Sequence, residues 1–169
     1  PQSISCCRSF RIRFVFFPPP PFGVVGIGIG IHGTVCRNEI TFTPNYNLAD
    51  LPIKDTLEDA LEIPVWLENE ANLSALAEKT FVENHKNLIH VSIHAGVGAG
   101  IILDHHLYTG LAGTAGEAGH MIVQPGGRSC PCGNHGCLEQ YISEPAVLSP
   151  LPGSYPAAPR SPSTIWSEL

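Results

Sequence analysis

Residues 117–139 read EAGHMIVQPGGRSCPCGNHGCLE, and this stretch sets the organisation of the chain around it. The pair Gly119-His120 lies near its start. Nine residues separate His120 from Cys130, and Cys130, Cys132 and Cys137 fall within eight positions. The glycines around the cysteines give the backbone the freedom to turn the thiols toward one centre. His120, Cys130, Cys132 and Cys137 are therefore a donor set that suits a closed tetrahedral zinc site.

Two other interpretations of these residues are weaker. Ordinary buried thiols or a disulfide pair would leave a third clustered cysteine and the Gly-His pair unexplained. His135 competes with His120 as the imidazole ligand, but it stands in a turn beside glycine and is expected to face solvent. We therefore expect His120 to be the fourth ligand.

The carboxylates that flank the cysteine loop are the candidates for binding chemistry. Four protein ligands leave no coordination position for water or substrate, so the zinc is expected to be structural. Glu117 precedes His120 by three residues, and Glu139 follows Cys137 by two. A metal that fixes the loop would direct both carboxylates into one pocket, where they suit the hydroxyls of a sugar.

The rest of the chain alternates between strand and helix patterns. Strands are predicted over 24–31, 65–68, 88–93 and 98–103, and helices over 54–61 and 70–80, with Asn69 as an N-cap. The glycines at 96–100 predict a tight hairpin. Trp66 lies in a short apolar strand and is expected in the core rather than at a sugar-stacking surface. This alternation predicts an α/β fold with a mixed sheet covered by helices.

Composition and charge exclude several functions. The net charge is −6, and no cluster of lysine and arginine offers a surface for nucleic acid in this segment. The apolar run at 14–17 is too short for a signal peptide. The cysteines outside the zinc set are scattered, which fits a reducing compartment. We therefore expect a cytoplasmic location, with no membrane contact and no nucleic-acid contact from this segment.

Prolines concentrate at both ends of the chain. Residues 1–21 end in four consecutive prolines, and residues 149–169 contain five. Neither end shows a clear helical or strand period, so both are expected to be irregular tails. Truncation or a shifted reading frame would explain both.

The run from Ile93, Ile-His-Ala-Gly-Val-Gly-Ala-Gly-Ile, together with Gly110, Gly116 and the cysteine loop, resembles the ROK family of sugar kinases and sugar-responsive repressors. Residues 65–72, VWLENEAN, are similar to the family's segment that carries a sugar-facing Asn and the catalytic acid. The resemblance covers about residues 22–145. It implies an incomplete actin-like, ribonuclease-H-like ATPase fold whose two lobes close over a hexose.

The resemblance also implies a division of the chain. Residues 22–85 would form the end of the N-terminal lobe. Residues 86–148 would form the start of the C-terminal lobe, with the zinc loop. The segments 1–21 and 149–169 would be tails outside the family fold.

The expected sugar contacts are Asn69 and Glu70, which the resemblance implies, and Glu117, His120 and Glu139, which the zinc loop brings together. The protein is expected to bind a monosaccharide and to form a homo-oligomer. In the family's kinases, Asp stands at the position of Glu70 and takes the proton from the attacking hydroxyl. Glutamate there looks like the pattern of the xylose-repressor type. A misplacement of about 1 Å costs on the order of 100-fold in rate, so Glu70 is a doubtful catalytic base. A structural alternative keeps Glu70 as an acid favoured at a helix N-terminus.

Gly96, Gly98 and Gly100 are weak candidates for nucleotide binding, because Val97 stands where the family's kinases place Thr or Ser. A simple hairpin also explains these glycines. The sequence thus favours the sugar-sensing part of a ROK transcriptional regulator. The alternatives are an ATP-dependent sugar kinase, for which ATP and Mg²⁺ would be cofactors, and a truncated fragment without activity.

Overall fold

A computed structural model describes residues 3–6, 10–13, 22–44, 48, 51–82 and 84–148. In these ranges strands alternate with short helices, which confirms the α/β class. Parallel and antiparallel strand pairs both occur, but they lie in four separate small sheets instead of one mixed sheet. The tail at 149–169 lies outside the described residues. No helix in the described ranges is long and apolar enough to cross a membrane.

The elements before residue 83 form the first part of the fold. They are β1 (Ser3–Cys6), β2 (Phe10–Arg13), β3 (Ile27–Ile31), β4 (Thr34–Cys36), β5 (Glu39–Phe42), α1 (Ile53–Leu61), β6 (Val65–Asn69) and α2 (Glu70–Ala77), which continues as a π-helical turn over Glu78–Val82. Strands β3 and β6 pair in parallel, and β4 pairs antiparallel with β5. The core consists of the buried side chains of Ile31, Val35, Ile40, Val65 and Leu67.

The first tail is not wholly irregular as expected, because β1 and β2 form an antiparallel hairpin within residues 1–21. The sequence Phe10-Arg-Ile-Arg13 alternates apolar and charged side chains, which is the period of a strand. The four consecutive prolines at 18–21 suggest an irregular segment, and the strand pattern before them is only four residues long.

Asn38 ties the β4–β5 hairpin to the parallel sheet. It occupies the turn between the two strands with φ of 66°. Its side-chain amide donates to the Val65 carbonyl at 2.9 Å and accepts from the Leu67 N–H at 2.6 Å. These bonds satisfy backbone groups on the free edge of β6.

The elements after residue 83 form the second part of the fold. They are β7 (Leu88–Ile93), β8 (Val97–Leu103), β9 (His106–Leu107), 3₁₀ turns at Leu111–Gly113 and Ala118–His120, α3 (Glu139–Ile142) and α4 (Glu144–Leu148). Strand β8 pairs antiparallel with both β7 and β9. The expected hairpin forms, but its turn lies at 94–96, and Gly98 and Gly100 are inside β8. Helix α2 packs on this sheet, with Ala71 and Ala75 buried against β8.

Trp66 was expected in the core, and the structure contradicts this. Its residue surface is 57% exposed, although it lies within β6. Alternate residues of a strand point to opposite faces, and Val65 and Leu67 take the buried face. The Trp66 ring lies over the backbone of Gly26, where no side chain competes for the space.

Candidate functional site

The cysteine loop is closed by backbone hydrogen bonds between its two ends. The Val123 N–H donates to the Gly136 carbonyl at 2.9 Å. The Leu138 N–H donates to the Met121 carbonyl at 2.8 Å. Gly136 has φ of 86°, and a side chain there would overlap the Gln124 carbonyl, so this turn requires glycine.

The four expected metal ligands meet at one point. The donor atoms of His120, Cys130, Cys132 and Cys137 all lie within 4.8 Å of one another. The Cys132 and Cys137 sulfurs are 3.7 Å apart, and the Cys130 sulfur lies 3.7 Å from His120 Nδ1. Zinc–sulfur bonds of about 2.3 Å in a tetrahedron place sulfurs about 3.8 Å apart. The residues present therefore fit zinc in both chemistry and spacing.

A disulfide within the loop does not match the structure, and neither does His135 as the imidazole ligand. Cys36, Cys130, Cys132 and Cys137 are all free thiols. His135 is exposed and is not part of the cluster, as expected. His120 Nδ1 is the ring nitrogen on the thiol side. The sequence-based choice of the four ligands thus agrees with the geometry.

Two thiols of the cluster are held in their neutral form when no metal is bound. Burial raises the pKa of the Cys137 thiol. Burial, followed by a hydrogen bond to Glu139, raises the pKa of the Cys130 thiol far above its usual range. A metal bound by thiolates must displace these protons, so its binding depends on pH.

Two carboxylates lie on either side of the His120 ring. Glu117 Oε2 is 3.6 Å from Nε2, and Glu139 Oε1 is 3.7 Å from Nδ1. Glu139 is buried and accepts a hydrogen bond from the Cys130 thiol at 3.0 Å. Burial raises the pKa of Glu117, and the negative charges of Glu70 and Glu139 raise it further, while His120 acts in the opposite direction. The carboxylates of three separate elements thus share one region.

Asn69 is an N-cap, as its position predicted. Its side-chain oxygen accepts from the N–H groups of Ala71 and Asn72, at 2.9 and 3.1 Å. Its amide nitrogen donates to the Gly33 carbonyl at 2.9 Å. One amide N–H remains for another partner. A sugar contact by Asn69 stays a prediction.

Glu70 is the first residue of helix α2, and its carboxylate points into the region that holds Glu117 and Glu139. Its Oε1 lies 3.4 Å from Nδ1 of His32, in the turn that follows β3. Its Oε2 is buried and has no hydrogen-bond partner among the described residues. A buried acceptor without a donor is costly, so a donor from a ligand or a water molecule would stabilise this carboxylate.

Gly96 and Gly98 lie beside two of these carboxylates. A Cβ atom at Gly96 would stand 3.3 Å from Glu139 Oε2, and one at Gly98 would stand 3.7 Å from Glu70 Oε1. Gly100 instead lies directly against the backbone of α2. Packing therefore explains Gly100, and the nucleotide role of the three glycines stays a prediction.

His32 was not expected at the site. Nothing in the local sequence around it marks a ligand-binding residue. The signal is in the strand pairing: Ile31 is opposite Asn69 in the parallel sheet, so the next residues along both strands, His32 and Glu70, become neighbours. The carboxyl ends of parallel strands are a common place for ligand sites.

Known proteins match most of this chain in sequence. The model of the ROK family matches residues 17–157. The chain belongs to the ROK family. Over 137 residues, this ROK chain is 45% identical to the xylose repressor of Bacillus subtilis, covering 79% of this chain and 36% of the repressor.

Two solved structures of ROK proteins resemble this one. A Streptomyces griseus glucokinase in complex with glucose and AMPPNP is 38% identical with a TM-score of 0.71, over 75% of this chain and 42% of the glucokinase. A ROK transcriptional regulator homologous to the E. coli MLC protein is 36% identical with a TM-score of 0.64, over 76% of this chain and 33% of the regulator. The likeness confirms the expected actin-like ATPase fold. This ROK chain spans roughly a third to two fifths of the length of these proteins.

Proposed function

We propose that this chain forms the sugar-binding part of a ROK transcriptional regulator. One observation carries the proposal: Glu117 and Glu139 lie on either side of His120, Glu70 is near enough to raise the pKa of Glu117, and an oxygen of Glu70 is buried without a donor among the described residues. Carboxylate oxygens accept hydrogen bonds and cannot donate them, so the missing partner must bring hydroxyl or N–H groups. A monosaccharide presents several hydroxyls within the span of such a cluster.

The metal of this site is proposed to be zinc with a structural role. Bound zinc would fix the cysteine loop and would leave no coordination position for a sugar. His120 then has its Nδ1 on the metal side and its Nε2 toward Glu117. The ring thus connects the loop to the carboxylates and holds Glu117 and Glu139 at a fixed separation. Free thiols in such a set are typical of a reducing compartment, which supports a cytoplasmic location.

The similarity to a xylose repressor makes a pentose or hexose the first ligand to test. Sugar binding would alter the closure of the two lobes and thereby a DNA-binding segment elsewhere in the regulator. Assembly as a homo-oligomer and the absence of nucleic-acid contact from this segment stay predictions. The sugar-binding roles of Asn69, Glu70, Glu117, His120 and Glu139 are likewise part of this proposal.

A sugar kinase is the second candidate, and the similarity to a glucokinase bound to glucose and AMPPNP favours it. In this case Glu70 would be the base, with ATP and Mg²⁺ near Gly96, Gly98 and Gly100. Two features speak for the regulator. Glu70 carries one methylene more than the Asp of related kinases, and residues 96–100 offer no hydroxyl to a phosphate.

The test measures binding and phosphoryl transfer on the same protein preparation. Titration calorimetry with D-xylose and D-glucose should give saturable binding of at least one sugar. A coupled assay with ATP and Mg²⁺ should show negligible turnover of the sugar that binds. Glu70→Asp, the matched variant, should keep binding and raise any turnover. Fast turnover by the unaltered protein would establish the kinase, and no binding of either sugar would reject the sugar site.

A further inference from the structure

His32 occupies a position that the fold fixes by backbone contacts. It follows β3 directly, and the parallel register of β3 and β6 continues past Ile31 and Asn69 to bring it beside Glu70. The Asn69 side chain donates to the carbonyl of Gly33, the residue after His32. The turn that carries His32 is therefore hydrogen-bonded to Asn69, the N-cap residue of helix α2.

The two oxygens of the Glu70 carboxylate have different surroundings. Oε1 lies 3.4 Å from His32 Nδ1 and faces Gly98, where no side chain intervenes. Oε2 is buried, with no donor from the described residues. His32 is half exposed, with 50% of its side-chain surface accessible, so it borders the open side of the site.

The other charged groups around Glu70 do not hold its carboxylate in place. Glu117 carries the same charge as Glu70 and repels it. No lysine or arginine among the described residues forms an ion pair with Glu70. His32 is thus the side chain that can donate to Oε1 and offset this repulsion.

We propose that His32 is a positioning residue for the sugar site, whose Nδ1 holds Glu70 Oε1 and thereby turns Oε2 inward to accept a sugar hydroxyl. The proposal rests on the sugar-binding function of this site. The 3.4 Å contact sets the imidazole Nδ1 against a carboxylate oxygen, so its loss should be measurable in affinity. Because His32 lies outside the metal cluster, its removal should leave metal binding intact.

A double-mutant cycle on the zinc-loaded chain tests this role, with the dissociation constant of the bound sugar as the readout. His32→Ala should weaken binding about tenfold, because the polar ring atom that lies against Oε1 of Glu70 is lost. His32→Asn should restore most of the affinity, because its amide nitrogen stands near the place of Nδ1. In a Glu70→Gln background, His32→Ala should have little further effect, because its partner is already changed.

Matched controls separate positioning from folding. His106→Ala, which removes an exposed histidine far along the chain at β9, should leave the affinity unchanged. Zinc content and the unfolding temperature should be the same in His32→Ala and the unaltered protein. An unchanged affinity in His32→Ala, or an equal loss in the Glu70→Gln background, overturns the role of His32 while sugar binding stands. No sugar binding by the unaltered protein overturns both.

Discussion

Replacing Gly100 with alanine is expected to destabilise the fold strongly, because α2 lies directly on this residue. The new Cβ would overlap the Ala71 carbonyl oxygen and would stand 2.6 Å from the Ala75 Cβ. Ordinary contacts begin at 3.4 Å, so β8 and α2 must separate by about 0.8 Å or more. Ala71 and Ala75 are almost fully buried, which leaves no room for this movement.

The expected cost is about 3 kcal/mol, at the upper end for overpacking, since backbone and not a flexible side chain blocks the site. Gly28→Ala is the matched control, because a Cβ there meets nothing within 4 Å in another strand of the same protein. It should stay within about 1 kcal/mol of the unaltered protein. Urea unfolding followed by circular dichroism measures both. Equal stability of the two variants would refute the packing argument and would leave nucleotide binding as the explanation for Gly100.

Three further predictions concern the metal cluster, the acidic site and the sheet. Zinc binding near pH 7 should release at least two protons, because Cys130 and Cys137 have raised pKa values. The affinity of the protein for zinc should therefore rise about 100-fold per pH unit. Calorimetry in buffers of different ionisation enthalpy counts the protons. Glu117→Gln should flatten the decline in unfolding temperature that sets in as the pH rises above the ordinary carboxyl pKa of about 4.3. The raised pKa makes the folded state retain a proton that the unfolded chain loses, so stability falls as pH rises from the ordinary carboxyl pKa to the raised pKa of Glu117. Asn38→Ala should cost about 2 kcal/mol in urea unfolding, since two backbone groups of β6 lose partners, whereas Arg37→Ala in the same turn should cost little.

Local patterns carried most of what could be predicted from the sequence. The three cysteines and His120 fall within one short segment, so chemistry and spacing together identify the ligand set. Asn69 could be recognised as an N-cap because capping is a property of a few neighbouring residues. The hairpin between β7 and β8 follows from glycines between two apolar runs, although its turn lies at 94–96 and not over 96–100.

Contacts between distant segments could not be predicted in this way. His32 reaches Glu70 only because β3 and β6 pair in one particular parallel register. Trp66 is predicted in the core because it lies in a short apolar strand. In the structure, the alternation of the strand buries Val65 and Leu67 and leaves Trp66 exposed. Gly100 resembled a phosphate-binding loop residue, and its contact with α2 depends on how a helix lies across a sheet.

The most direct test of the account is the binding of D-xylose and D-glucose before and after removal of zinc. The account requires the metal to hold the cysteine loop, and the loop to hold Glu117 and Glu139 beside His120. Zinc-loaded protein should bind one of these sugars saturably, and a chelator should abolish binding until zinc is restored. Sugar binding that persists unchanged in zinc-free protein, or that is absent from the fully zinc-loaded protein, would contradict the account.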